Sequence, residues 1–250
     1  MADRPAVGDR DSWEANAAWW QAGFTQGADA EYEEQILPMA RTHLAGTRRV
    51  LDVGTGEGQV ARLACRVGAE VVVGVDPAWA QLDVAVGRAG GPRYALAEAV
   101  ALPFPAASFD AVVACLVFEH IADAEGAIAE VARVLAADGR LLLFLNHPLL
   151  QTPGSGWIDD HILDEQYWRI GPYLREDTTV EEVDKGVFIP FVHRPLSQYV
   201  NALAGCGLLV TRMEEPAPPP GFVARAAEYR ESATIPRLLF IRAEKVGARR

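Results

Sequence analysis

The chain is short of cysteine, of basic residues and of long apolar runs, and each shortage excludes something. Its three cysteines, Cys65, Cys115 and Cys206, are odd in number and fall on an expected helix, strand and turn. That pattern argues for free thiols in a reducing, cytoplasmic setting rather than a disulfide framework. Lysine and arginine total 23 against 34 acids, for a formal net charge of −11. A broad nucleic-acid footprint needs a concentrated basic surface, so no nucleic-acid partner is expected. No apolar stretch approaches the roughly 18 residues of a membrane span, and the acidic N-terminus carries no signal-peptide pattern, so no membrane association is expected. Histidine and cysteine do not recur at zinc spacing, and no internal repeat is evident. At 250 residues, half of them hydrophobic, the chain suits one α/β core with appended elements.

Within that composition, residues 50 to 58 (Val-Leu-Asp-Val-Gly-Thr-Gly-Glu-Gly) stand out. Val50 to Val53 read as a parallel strand buried on both faces. Gly54, Gly56 and Gly58 allow a tight turn and let bare backbone approach a ligand. Apolar residues at helical spacing follow (Val60, Leu63, Ala64, Val67). A second strand, Val71 to Val75, delivers Asp76 at its carboxyl end, where open α/β sheets bind ligands. A carboxylate there accepts hydrogen bonds from both hydroxyls of a ribose, which predicts a nucleoside-containing cofactor. The dinucleotide fingerprint is G-x-G-x-x-G, whereas this loop is Gly54-x-Gly56-x-Gly58 with Glu57 inside it. A carboxylate repels a pyrophosphate but suits a sulfonium or an ammonium, which disfavours a nicotinamide-dependent oxidoreductase.

The stretch Asp52-Val53-Gly54-Thr55-Gly56-Glu57-Gly58 resembles motif I of class I S-adenosyl-L-methionine-dependent methyltransferases. Three later stretches resemble the same family in the same order. They are Ala97-Glu98-Ala99 with Leu102-Pro103-Phe104 and Phe109-Asp110-Ala111-Val112-Val113; Phe118-Glu119-His120-Ile121; and Glu130-Val131-Ala132-Arg133-Val134-Leu135 before Asp138-Gly139-Arg140-Leu141. The resemblance covers about residues 46 to 245 and points to a bacterial small-molecule group. It implies a doubly wound, seven-stranded, mostly parallel Rossmann-like sheet whose last two strands form an antiparallel pair. It also implies S-adenosyl-L-methionine as cofactor, held by Asp52, Gly54, Thr55, Gly56 and Gly58 on the loop. Asp76 and Pro77 would follow the second strand, Glu98 and Ala99 would meet the adenine edge, and Cys115 and Leu116 would end the fourth strand. The Asn/Asp-Pro-Pro-aromatic element of methyltransferases that modify base or glutamine amides is missing after strand four. A small-molecule acceptor is therefore expected.

Four segments are expected. Residues 1–45 form a helical lid, with Trp13, Ala17, Trp20 and Phe24 on one face and a second helix ending near Pro38. Residues 46–147 form the cofactor-binding core, and 148–195 an acceptor cap, too long for an ordinary connection. Residues 196–250 supply a helix capped by Ser197 and the last two strands. Trp20 and Phe24 on the lid, with Tyr167 and Trp168 on the cap, are candidate acceptor-binding residues, although aromatic stripes also serve plain packing. A homodimer is left open.

Methyl transfer from a sulfonium is an in-line displacement whose leaving thioether needs no proton, so alignment carries most of the gain. An amine acceptor needs only to be neutral, whereas a hydroxyl benefits from a general base. His147, just beyond strand five, is the first-choice base, and His193 is the second. His120 and Glu119 complete the catalytic candidates, His120 as an acceptor contact and Glu119 as its orienting group or a substrate contact. Each also suits a purely structural role. The acids around His161 (Asp159, Asp160, Asp164) read as a solvated loop, and no metal is assigned. The expected activity is methylation of a hydroxyl oxygen on a sugar, phenolic or polyketide-like molecule. An N- or C-methyltransferase, or a non-catalytic S-adenosylmethionine-binding protein, is the alternative.

Overall fold

A computed structural model describes residues 10–225 and 232–246. Its centre is a seven-stranded sheet built from β1 (Arg49–Val53), β2 (Val71–Asp76), β3 (Arg93–Leu96), β4 (Phe109–Cys115), β5 (Leu135–Asn146), β10 (Leu208–Glu214) and β11 (Leu238–Lys245). The strand order is β3-β2-β1-β4-β5-β11-β10. β1 to β5 pair in parallel, and β11 runs antiparallel to both β5 and β10. The expected sheet is thus present, with its antiparallel final pair, β11 being the reversed strand. Its order turns back between β1 and β4, and at such a switch point the carboxyl ends of the strands open a crevice.

Period-two alternation divides the core between the two faces of the sheet. Leu141, Leu143 and Leu145 pack with α5 (Ala124–Val134) and α6 (Leu196–Gly205). Leu142 and Phe144 face α2 (Leu37–Leu44) and α3 (Gln59–Arg66). Asp123 caps α5 by accepting from the Gly126 N–H at 2.8 Å. On the same helix Glu130 accepts from the Leu102 N–H at 2.9 Å, and Arg133 donates to the Phe104 and Leu102 carbonyls. The E-x-x-R pair therefore fastens the Leu102–Phe104 turn, and with it the Glu98–Ala99 segment, against the sheet.

Two local expectations differ from the structure. Helix does not end near Pro38: a π-turn at Tyr32–Ile36 runs directly into α2, with Pro38 in its first turn. Proline lacks an N–H and crowds the carbonyl one turn back, and the wider turn relieves that crowding. Ser197 lies inside α6 rather than capping it, because Pro195 takes the cap position and the Leu196 N–H donates to the Tyr173 hydroxyl at 3.0 Å.

Between β5 and α6 the chain makes two hairpins, β6–β7 (Gly156–Asp160 and Glu165–Arg169) and β8–β9 (Asp177–Asp184 and Val187–His193). The second clasps α1 (Arg10–Phe24). The Phe188 carbonyl accepts from Ser12 Oγ and Asn16 Nδ2, and Asp184 accepts from Trp19 Nε1 at 3.1 Å. On its other side α1 docks on α4 (Trp79–Arg88), where Glu14 accepts from the Ala80 N–H and Gln21 reaches Gln81. Helix α1 thus roofs the carboxyl edge of the sheet. Among the described residues no helix is long and apolar enough to cross a membrane.

Candidate active site

Beneath α1, at the β1/β4 switch point, lies a cleft of about 320 Å³. The glycine loop forms its floor. Gly54 sits at φ +67°, where a Cβ would stand 2.3 Å from Val117 Cγ2, so backbone alone fits between β1 and the turn after β4. The Thr55 N–H donates to the Val75 carbonyl at 2.9 Å, and its hydroxyl donates to Asp52 at 2.6 Å. Burial pushes the Asp52 carboxyl up to about 7 despite that bond.

Asp76, at the end of β2, accepts from the Gly56 N–H through one oxygen and from the Ala78 N–H through the other, each at 2.9 Å. Burial raises it to about 6, against the pull of those two donors. Each carboxylate oxygen keeps a second lone pair, so the pair remains able to receive ribose hydroxyls. Pro77, Glu98, Ala99, Cys115 and Leu116 line the same cleft. Leu116 adopts a positive φ of 55° while its N–H reaches the Phe144 carbonyl, which turns the chain sharply off β4. Gly58 alone among the cofactor candidates is missing from the lining. At φ +85°, with Tyr94 Oη in the place of a Cβ, it starts α3 instead.

Glu57 is 1% exposed, with Arg62 and Arg88 both on its Oε2. Its Oε1 and the neighbouring Gln59 Nε2 are buried with no partner among the described residues, and both residues line the cleft. One acceptor and one donor left over at the loop suit the ammonium and carboxylate of an amino-acid tail. With Asp76 placed for a ribose and Glu98 beside the Ala99 N–H for an adenine edge, this donor set fits S-adenosylmethionine.

A second chamber, of about 240 Å³, adjoins the first. Trp13, Trp20, Tyr32, Leu116 and His120 line both. Its walls come from Trp20 and Phe24, stacked 4.3 Å apart, and from Ile189 and Phe191 of β9. The lid aromatics therefore do face a cavity. Tyr167 and Trp168 line neither chamber. They sit on the β6–β7 hairpin, where Trp168 packs edge-on against Trp157 and Tyr167 is about half exposed. The acids of that hairpin bond within it: Asp160 accepts from the Ile162 and Leu163 N–H groups and Asp159 from Gln166. Among the described residues no group of three His, Cys, Asp or Glu is arranged to hold a metal.

The four catalytic candidates separate clearly. His147 is buried off both chambers, its Nδ1 accepting from the Leu149 N–H at 3.1 Å and its Nε2 therefore donating to Glu215 at 2.8 Å. Both ring nitrogens are spent, so the first-choice base has no lone pair left for an acceptor. His193 donates from Nε2 to the Tyr173 carbonyl and also lies off both chambers. Glu119 does not orient His120. It accepts from the backbone and side-chain N–H groups of Asn146 at 3.0 and 2.8 Å, and burial raises it to about 7.

His120 alone of the four lines the cleft. Its Nδ1 donates to the Pro190 carbonyl at 2.8 Å, which leaves the Nε2 lone pair free. Burial lowers it to about 4, so the ring is neutral at physiological pH. Trp13 and Phe191 hold it edge-on and tilted, with centroids 4.9 and 4.7 Å away. Trp13, Thr25, Tyr32 and Gln81 are lining residues absent from the sequence-based candidates. Trp13 had a signal, as it shares the apolar stripe of Trp20.

A family model described as a methyltransferase domain matches residues 51–143. A demethylmenaquinone methyltransferase of Thermus thermophilus is 38% identical over 122 residues, 47% of this chain and 54% of the relative. A methyltransferase of Bacillus subtilis, named as uncharacterised, is 36% identical over 157 residues, 61% of this chain and 60% of its own. The chain thus spans little more than half the length of these curated relatives. The crystal structure of an S-adenosylmethionine-dependent methyltransferase from Mesorhizobium loti superposes with a TM-score of 0.71 at 27% identity, over 83% of this chain and 96% of that one. Residues 51–143 thus match a methyltransferase domain, and the likeness to an S-adenosylmethionine-dependent methyltransferase extends beyond it through the sheet.

Proposed function

We propose that the protein transfers a methyl group from S-adenosylmethionine to a hydroxyl oxygen of a small, ring-bearing molecule held in the second chamber. His120 acts as the base. The observation that carries this reading is the position of His120, a neutral imidazole with a free Nε2 lone pair on the wall shared by both chambers. Bound in the first chamber, S-adenosylmethionine supplies an electrophilic methyl group on a positively charged sulfur. Because burial lowers His120 to about 4, its Nε2 first accepts the hydroxyl's hydrogen bond and takes the proton only as the new C–O bond forms and the sulfonium becomes a neutral thioether. The Pro190 carbonyl on Nδ1 holds the tautomer and orientation that this needs. Trp13 and Trp20, backed by β9, keep water from the junction, and the aromatic walls favour a flat acceptor. The Thermus relative is named for demethylmenaquinone. The acceptor-cap role then belongs to β8–β9, the half of the insertion that touches the chamber.

A labelled-methyl screen over phenols, sugars, amines and carboxylic acids tests the reading, with His120→Ala alongside. Transfer to a hydroxyl that the variant loses supports it. Transfer to nitrogen or carbon, indifferent to His120, moves the protein to the N- or C-methyltransferase alternative.

A further inference from the structure

The junction of the two chambers holds a second unspent polar group. Tyr32 enters from the π-turn, is 6% exposed, and lines both chambers, as His120 does. The one contact of its hydroxyl with a described residue is Cys115 Sγ at 3.6 Å. A thiol is a weak donor and a weak acceptor, so this contact leaves the phenol O–H without a proper acceptor. Buried hydroxyls seldom stay so, and such an orphan marks the place of something else. Burial and the neighbouring Cys115 raise Tyr32, so the proton stays on its oxygen. The backbone at Tyr32 is pinned as well, since its N–H donates to Asp29 Oδ1 at 2.9 Å.

Tyr32 and His120 therefore present one donor and one acceptor, both neutral. The charged groups lining the second chamber have partners of their own: Glu31 takes the Arg237 guanidinium at 3.0 Å, Asp29 takes the Tyr32 N–H, and Glu181 takes the Thr179 hydroxyl at 3.2 Å. A hydroxyl answers both junction groups at once, its proton going to His120 Nε2 and its lone pair receiving the Tyr32 O–H. A carboxylate would meet the His120 lone pair with no proton to offer it. A hydrocarbon ring would leave both groups unpaired.

We infer that Tyr32 is a specificity-determining residue: its O–H grips the acceptor hydroxyl opposite His120 and selects neutral hydroxylated rings over their carboxylated and unsubstituted counterparts. This inference rests on the methyl-transfer reading of the cleft. It adds a residue and a ligand class that the reading does not require.

The test uses the whole protein saturated with S-adenosylhomocysteine and titrated calorimetrically with 2-naphthol, naphthalene and 2-naphthoate. Loss of a buried hydroxyl partner is worth about tenfold in affinity, so 2-naphthol should bind at least that much tighter than either probe. In Tyr32→Phe the preference for 2-naphthol over naphthalene should fall to about threefold or less, with naphthalene affinity unchanged. Circular dichroism and retained S-adenosylhomocysteine binding check that the variant is folded. Equal binding of 2-naphthol and naphthalene by the wild type, a preference that survives Tyr32→Phe, or no binding of any probe overturns the inference while the cofactor site stands. Failure of the wild type to bind S-adenosylhomocysteine removes the methyl-transfer reading, and this inference with it.

Discussion

The Gly56 backbone N–H donates to the Asp76 carboxylate at 2.9 Å, tying the glycine loop after β1 to the tip of β2. The residue expected to hold the ribose is thus also the residue that shapes the loop beneath the cofactor. Asp76→Ala should weaken cofactor binding on both counts, and Asp76→Asn less, since an amide oxygen still accepts from Gly56. A thermal shift with and without S-adenosylhomocysteine separates them. The ligand-induced rise should be lost in the first variant and reduced in the second.

His120 and His147 should part company on substitution. His120→Ala should lower kcat for hydroxyl methylation by about a hundredfold or more, the usual scale for a lost general base. His147→Ala removes a buried ring bonded to Glu215 and Leu149. It should cost about 1–3 kcal/mol of stability through groups left unpaired, with turnover within a few-fold of wild type. Turnover and melting temperature of both variants decide it, and the reverse pattern would restore His147 as the base.

Three buried carboxyls sit high: Asp52 at about 7, Asp76 at about 6 and Glu119 at about 7. In the unfolded chain such groups titrate at about 4. Between those values the folded state holds protons that the unfolded state has released. Their contribution to stability is therefore complete below about pH 4 and is lost as pH rises toward 7. Glu119→Gln removes one such group, so its melting temperature should gain on the wild type from about pH 5 to about pH 7 and level off above that. Parallel curves would contradict the buried, protonated state of Glu119.

Gly54→Ala should be far worse than Gly56→Ala. Both positions have positive φ, but a Cβ at Gly54 would stand 2.3 Å from Val117 Cγ2, whereas at Gly56 the nearest atom is Trp20 Nε1 at 3.7 Å. Backbone strain alone costs about 1–2 kcal/mol, and overpacking adds about 1–3 kcal/mol more at Gly54. Denaturant midpoints of the two variants measure the difference. Equal midpoints would mean that Val117 moves aside freely.

The sheet and cofactor cleft were legible because their signals are local. The loop glycines, the strand-ending Asp76 and the E-x-x-R pair each act within a few residues or within one strand–helix unit. The proposed base was not legible in the same way. His147 and His120 both follow core strands, and Glu215 and Pro190, the groups that decide which imidazole keeps a lone pair, lie 68 and 70 residues further along. The insertion posed the same difficulty. Tyr167 was a candidate and Phe191 was not, yet the clasp of β8–β9 on α1 puts Phe191 at the cavity and leaves Tyr167 about half exposed. Helix continued past Pro38 because a π-turn absorbed the proline, which no residue pattern announces.

The most direct test of the central claim is a calorimetric titration of the purified protein with S-adenosylhomocysteine, with Asp76→Ala in parallel. The expected result is a single site with a Kd of about micromolar, near −8 kcal/mol, that the variant loses. No heat from folded wild-type protein, or equal affinity in the variant, would contradict the assignment of this cleft to S-adenosylmethionine.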